Sequence, residues 1–374
     1  MSDNPFGSIF GDLFNILGQQ GPNAWFETAR TLALNVTRGE DGDPNPEPSE
    51  RQRLEQFEAL VSRRVSSIFG VQVHDGVEAT NRTALTLAAL EQWRPLMAPM
   101  IDAPAPDLTG LLDPSMSATL GQLASTIGPL FVGFQLGSVA GHFSERAWSL
   151  AALALPRENQ SRLLVVNNVA RFADEWSLDR DATTTFALAR EIVASVVLSQ
   201  PGTGDALRAL LIDAVKDAAA AQGDILSKLT TLSDPSDLSA LMGNPESLLD
   251  GIETPDATDA TRAINAAAAV LRAVFDATAF DVTEHMFGPL AQLREAYRRY
   301  RLADARGEDA AAALFGIDTH GDEQHLADEF VAAVISAHGL EAFTALLRAD
   351  GLPRHDELEL PLQWFERVTN SPLA

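Results

Sequence analysis

The sequence predicts a mainly α-helical protein with a minor β component. Most of its apolar residues recur every three or four positions, the spacing that places them on one face of a helix. The stretches with this pattern are rich in alanine and bounded by Gly, Pro or Asp, residues that commonly begin and end helices. One short apolar run, Leu163 to Val166, is followed by two asparagines and favours a strand.

The chain is long enough for one large domain preceded by a short arm. Its 374 residues are 46% hydrophobic, which supplies a full core, and no proline- or serine-rich linker divides them. We expect a single helical domain over residues 22–374, with an acidic, proline-rich loop at residues 39–49. Residues 1–21 have helical apolar spacing and predict an amphipathic arm that docks on this domain or, alternatively, on a partner or a membrane surface.

Helices are expected along the whole domain. Proline fits the first turn of a helix, where no backbone N–H is needed, but it should end a helix when it follows an amphipathic stretch, as Pro95 does. The expected helices run from Pro22 through Leu34, Pro48 through Ile68, Arg82 to Arg94, Thr183 to Leu198, Ala206 to Ala221, Ala257 to His285 and Pro289 to Ala303.

The segment from Met116 to Phe143 contains no Asp, Glu, Lys or Arg and is long enough to cross a bilayer. Polar residues occur throughout it, and the Gly128-Pro129 pair should break a helix near its middle. Gly133, Gly137 and Gly141 lie four residues apart, a spacing that lets two helix backbones approach closely. We therefore expect a buried helix pair here, and a membrane is an unlikely partner.

Charge and cysteine content exclude several classes of function. The formal net charge of -25 leaves little material for a surface that binds nucleic acid or acidic lipid. The basic cluster formed by Arg294, Arg298, Arg299 and Arg301 is expected to pair with carboxylates inside the molecule. Without cysteine there is no disulfide or thiolate zinc ligand. The first residues lack the features of a secretory signal, which predicts a cytoplasmic protein.

The stretch from Leu163 to Pro201 combines an apolar strand, an asparagine pair, an amphipathic helix and an apolar helix. This order resembles a family of bacterial zincin-like proteins that includes zinc-dependent metalloproteases and hydrolases. The similarity extends to NPFG at Asn4 to Gly7, the glycine-rich segment from Gly128 to Gly141, and the blocks LFGIDTHGDEQHLADEFVAAVISAHGLEAF and LELPLQWFERV. The resemblance implies a zincin-like helical body, and the family is sometimes linked by gene neighbourhood to deazaflavin coenzyme synthesis.

In catalytic members of that family, the helix that matches Phe186 to Leu198 carries a His-Glu-x-x-His motif. Its two imidazoles hold zinc from one helical face, and the glutamate activates the metal-bound water. Here the five positions are Arg190-Glu191-Ile192-Val193-Ala194, so Glu191 remains at the general-base position without either histidine. The resemblance places Ala279 where a third, acidic ligand is expected. It implies a degenerate, non-catalytic homologue without a cofactor and with an interaction or structural role.

Two interpretations of Arg190 and Glu191 stay open. Both can be buried charges paired with other helices, and each then needs its own partner because neighbouring residues on a helix do not face each other. Alternatively, Arg190 stands in place of the metal as a permanent cation that holds the remaining acidic groups together. The residues do not name a protein partner.

The alternative function is an active zinc-dependent protease or hydrolase with relocated ligands. Zinc would be the cofactor only in this case, and Glu191 would act with ligands drawn from Glu284, His285, His320 and His325. The HGDEQH sequence around His320 stands at the start of an expected helix, where acidic residues are also favoured as caps. The sequence alone does not decide between an enzyme and a degenerate homologue.

Overall fold

Helices make up most of the chain in a computed structural model, which describes residues 23–38, 42–74, 76–101, 132–159, 161–214, 258–302, 306–318 and 322–370. One small sheet of two strands accompanies the helices within these ranges, so the predicted fold class is confirmed. The predicted arm at residues 1–21 and the first part of the uncharged segment lie outside the described residues.

The first half of the chain forms helices α1 to α7 and both strands. Their bounds are α1 Ala24–Arg38, α2 Pro48–Phe69, β1 Val77–Thr80, α3 Arg82–Ile101, α4 at residues 132–146, β2 Arg162–Val165, α5 Val166–Glu175, α6 Arg180–Leu198 and α7 Pro201–Ala214. A short 3-10 helix, Leu150–Ala152, lies between α4 and β2.

The second half forms helices only, within the residues described. They are α8 Asp259–Phe287, α9 Ala291–Leu302, α10 Arg306–Leu314, α11 Asp322–His338, the 3-10 helices Leu340–Leu347 and His355–Glu357, and α12 Pro361–Asn370. The helix expected from Ala257 to His285 is thereby confirmed within two residues at each end.

The two strands pair in parallel, with Val77 opposite Arg162 and Thr80 opposite Val165. All four residues of β2 are buried, which agrees with the apolar run seen in the sequence. The carboxylate of Glu58 on α2 accepts hydrogen bonds from the backbone N–H groups of Gly76 and Val77, both at 2.6 Å, and so fixes the start of β1. Strand β2 leads directly into α5, which begins at Val166 and is followed by α6.

The centre of the molecule is the contact between α6 and α8. Every residue of α6 from Ala182 to Leu198 is buried, so this helix is surrounded on all sides. It packs against α2 as well as α8, and α8 packs in turn against α11. The alanine run from Ala266 to Ala269 in α8 is fully buried, and its small side chains allow neighbouring helices to pack closely.

Within the described ranges, α8 is long and apolar enough to cross a membrane by length and composition, and the number of candidates rises to three if two bent helix pairs each count as one span. The protein buries 89% of the most apolar window of α8. Packing in the core is thus sufficient to account for the apolar character of this helix.

The glycines of α4 lie against α1, as expected for a buried helix pair. A Cβ atom on Gly137 would lie 2.8 Å from the Cα of Ala29 and closer still to its carbonyl oxygen. A Cβ atom on Gly141 would lie 2.6 Å from the Cβ of Val36. The two backbones can approach this closely only because the glycines lack side chains.

Two helix boundaries differ from the predictions by about five residues or more. Helix α3 continues through Pro95 to Ile101, and the burial of Leu96 and Met97 beyond the proline favours this continuation over a break at the lost hydrogen bond. Helix α7 begins at Pro201 rather than Ala206, since proline fits the first turn. The axes of α6 and α7 are bent by 83° at the two-residue connection.

Candidate functional site

Helix α6 places Arg190 and Glu191 in the centre of the protein. Its first turn is capped by Asp179, whose side chain accepts a hydrogen bond from the backbone N–H of Ala182 at 2.8 Å. Adjacent residues of a helix point about 100° apart, because one turn takes about 3.6 residues. Arg190 and Glu191 consequently contact different parts of the molecule.

Arg190 forms a buried ion pair with α8. Its side chain is 9% exposed, and Nε donates to Oδ1 of Asp276 at 2.6 Å. The Asp276 carboxylate also accepts from the Tyr297 hydroxyl at 3.1 Å and from Nη1 of Arg301 at 2.9 Å. Since Tyr297 and Arg301 both lie on α9, this one carboxylate connects α6, α8 and α9.

The charges in this cluster are fixed at neutral pH. Burial opposes the charged form of Arg190, but its interactions with Tyr297 and Asp276 outweigh burial and raise the pKa of its guanidinium above the ordinary value. Burial raises the pKa of Tyr297, which therefore remains a neutral phenol and donates a hydrogen bond to Asp276. Arg190 is a permanent cation in these surroundings.

Glu191 forms a second buried ion pair, with Arg157. Nη1 of Arg157 donates to Oε1 at 2.6 Å and Nη2 donates to Oε2 at 2.9 Å, so both carboxylate oxygens are engaged. The Arg157 and Glu191 side chains are 2% and 0% exposed. Arg157 precedes β2, and its backbone N–H donates to the carbonyl of Leu198 at the end of α6.

The residues at the zinc-motif positions do not fit a tetrahedral zinc site. Such a site needs nitrogen or oxygen donors with free lone pairs, and a guanidinium at position 190 and a methyl group at position 194 supply none. Ala194 and Ala279 are both fully buried in the core, on α6 and α8. The carboxylate that meets position 190 belongs to Asp276, one helical turn before Ala279.

Sequence reasoning missed Asp276, Tyr297 and Arg157. Asp276 and Ala279 are three residues apart on α8 and so share a helical face. The sequence alone therefore does not show which of the two positions lies beside Arg190, because this depends on how the helices pack. Arg157 stands in an irregular segment 34 residues before its partner. The isolated charges inside apolar stretches were the available signal, because a buried charge needs a partner.

The alternative ligands are not brought together in the described part of the chain. Glu284 accepts two hydrogen bonds from Arg294, each of 2.8 Å, and these hydrogen bonds hold the pKa of its carboxyl below the ordinary value. His285 and His325 are exposed, and Nε2 of His325 lies 3.4 Å from Glu329. His320 lies outside the described residues. Within the ranges described, no group of three or more His, Asp or Glu side chains is arranged to hold a metal ion.

The arginines of α9 pair inside the molecule, as the sequence predicted. Arg294 pairs with Glu284, Arg298 and Arg299 pair with Glu295, and Arg301 pairs with Asp276. Three of these arginines, Arg294, Arg298 and Arg301, also border a groove of about 900 Å³ between α8, α9 and α11, together with Asp276 and Tyr297. The groove therefore opens onto Asp276, the ion-pair partner of Arg190.

Comparisons with known proteins agree with this architecture. The family model described as zincin-like metallopeptidase matches residues 25–365. A crystal structure from Chloroflexus aurantiacus, described as "a putative hydrolase with a novel fold", is similar with a TM-score of 0.57 and 17% identity, over 92% of this chain and 99% of that chain. No curated protein matches the chain. Because the family model spans most of the sequence, the chain belongs to the zincin-like metallopeptidase family.

Proposed function

We propose that this chain is a zincin-like protein that has lost metal-dependent catalysis and keeps its helical body for a structural or protein-interaction role. The observation that carries the proposal is the contact between Arg190 and Asp276, with 2.6 Å between Nε and Oδ1. It combines the two earlier interpretations of Arg190, since the residue is a buried charge paired with another helix and also a cation at a former ligand position.

The chemistry of these donors supports the proposal. A zinc ion beside Arg190 would meet a guanidinium that stays protonated, and like charges at short range repel strongly in a buried site. Asp276 already receives hydrogen bonds from two arginines and a tyrosine. Glu191 would have to leave Arg157 before it could accept a proton from water.

Metal analysis of the full-length protein tests the proposal. The protein is expressed in zinc-supplemented medium and purified by gel filtration. We expect inductively coupled plasma mass spectrometry to find no stoichiometric zinc, and we expect no cleavage of casein that a chelator stops. One tightly held zinc per chain would overturn the proposal. So would casein cleavage that a zinc chelator stops and that Glu191→Gln abolishes in a folded variant, because this result would make Glu191 a working base.

A further inference from the structure

A second, smaller cavity of about 50 Å³ lies beside Arg190. It shares Tyr297 and Arg301 with the large groove, so these two residues of α9 form a wall between the two spaces. The rest of its lining includes two acidic residues, Glu308 and Asp309, and the residues Trp148, Ser149, Ala152, Ala187, Arg190, Arg272 and Tyr300. Three guanidinium groups therefore border one small space.

Arg272 differs from the other two arginines in its hydrogen bonds. Arg190 and Arg301 both donate to Asp276. Arg272 is 7% exposed, and its buried Nε and Nη2 atoms have no hydrogen-bond partner among the residues described. A buried charge without a partner is costly, by several kcal/mol in typical cases. The two nitrogens therefore call for an acceptor, which a ligand in the cavity can supply.

The electrostatics around Arg272 agree with an unmet positive charge. Burial, and next to it the charge of Arg301, lower the pKa of Arg272 to about 10, so the guanidinium is still protonated at neutral pH. The charge of Asp276 partly offsets that of Arg272, and burial raises the pKa of the Glu308 carboxyl, which favours the neutral form of that side chain in the cavity lining.

A second donor in the same cavity also lacks a partner. The indole Nε1 of Trp148 is buried without a hydrogen bond to the described residues, and indole nitrogen can only donate. Ser149 accepts a hydrogen bond from the backbone of Ala151, which leaves its hydroxyl proton available. Together with the two nitrogens of Arg272, Nε1 of Trp148 gives the lining three donors without a hydrogen bond to the described residues, and such donors suit an anion rather than a cation.

We propose that this cavity binds a small oxyanion, a carboxylate or a phosphate group, held by Nε and Nη2 of Arg272. These two atoms lie on one edge of the guanidinium and donate in parallel, the geometry that matches two oxygens of a single anionic group. A volume of about 50 Å³ suits one such group with few further atoms. The site does not depend on the loss of metal catalysis proposed above.

Anion binding to the full-length protein tests the assignment. Inorganic phosphate and acetate are titrated at constant ionic strength, with chloride as the balancing anion, and binding is followed by calorimetry and by the thermal midpoint. We expect phosphate, acetate or both to bind and to raise the midpoint above that in chloride. Binding of one anion alone identifies the group, whereas no anion-specific response overturns the proposal and leaves water as the occupant.

The variant Arg272→Met removes the charge and keeps the length of the side chain. We expect at least a tenfold weaker affinity, while Arg294→Met, which removes a partly exposed arginine outside this cavity, leaves the affinity unchanged. Undiminished binding by Arg272→Met overturns the proposal. If that variant does not fold, Arg272→Lys serves instead, because lysine keeps the positive charge and removes the parallel Nε and Nη2 donors, and an unchanged affinity contradicts the site.

Discussion

At the scale of single residues, the centre of this protein is defined by two neighbouring side chains with opposite charges and separate partners. Arg190 pairs with Asp276 and Glu191 pairs with Arg157, and all four side chains are at least nine-tenths buried. Removing one member of a buried pair leaves the other charge without compensation, which is more damaging than losing a surface pair. The stability of the folded chain should therefore be sensitive to each of these residues.

We expect Arg190→Met to lower the free energy of unfolding by about 2–3 kcal/mol, toward the lower end for a broken buried pair because Asp276 keeps Arg301 and Tyr297. Urea unfolding followed by circular dichroism measures the change. Arg298→Met, which removes an exposed pair with Glu295, is the matched control and should alter stability by less than about 1 kcal/mol. If Arg190→Met is as stable as the wild-type protein, Arg190 does not act as a cation that holds the acidic groups together.

At the scale of elements, helical periodicity was sufficient for most of the fold. It predicted α2, α6, α8 and α9 closely, because each has a continuous apolar face between clear start and stop residues. It did not predict β1, since the four residues VEAT gain their structure from pairing with β2 and from the Glu58 carboxylate. Periodicity also ended α3 before Pro95, whereas the helix continues to Ile101. The burial of Leu96 and Met97 that favours this continuation is a tertiary effect, which a local pattern does not contain.

The contact between α1 and α4 depends on glycine at position 137. We expect Gly137→Ala to destabilise the protein by about 1–3 kcal/mol, since the new methyl group would overlap the backbone of Ala29. Thermal unfolding measures the change. Gly204→Ala is the control in α7, where the added Cβ meets only the carbonyl oxygen of Leu198 at 3.4 Å and should leave stability unchanged or slightly higher. A neutral Gly137→Ala variant would argue against this packing.

At the scale of the whole molecule, the site is produced by contacts that no local pattern contains. Asp276 lies 86 residues after Arg190, and Tyr297 reaches the same carboxylate from another helix. The sequence predicted that Arg190 and Glu191 lie on an apolar helix and, in one of its two interpretations, that each buried charge has its own partner, which the structure shows. It could not predict the partners, since these depend on how α6, α8 and α9 cross. A shift of α8 by about one turn relative to α6 would place Ala279, rather than Asp276, beside Arg190.

Under the proposed function, the same contacts predict how a zinc site can be built at positions 190 and 194. In the double variant Arg190→His/Ala194→His, two imidazoles project from one face of α6 while Asp276, released from Arg190, provides a carboxylate from α8. We expect this variant to bind one zinc per chain in competition with a chromophoric chelator. Arg190→His alone, or the double variant with Asp276→Asn, should bind far more weakly. A folded double variant without zinc affinity would contradict the assignment of these positions.

Zincins normally combine binding of a metal ion with hydrolysis of a peptide, and the bidentate pair between Arg157 and Glu191 separates these two properties here. A metal bound at positions 190 and 194 in such a variant would have beside it a glutamate whose two oxygens are both held by a guanidinium. Binding of an ion and hydrolysis of a peptide are therefore distinct steps for this sequence. The second step also requires a change at Arg157, a residue far from these positions in sequence, so hydrolysis at this centre would need at least three coordinated substitutions.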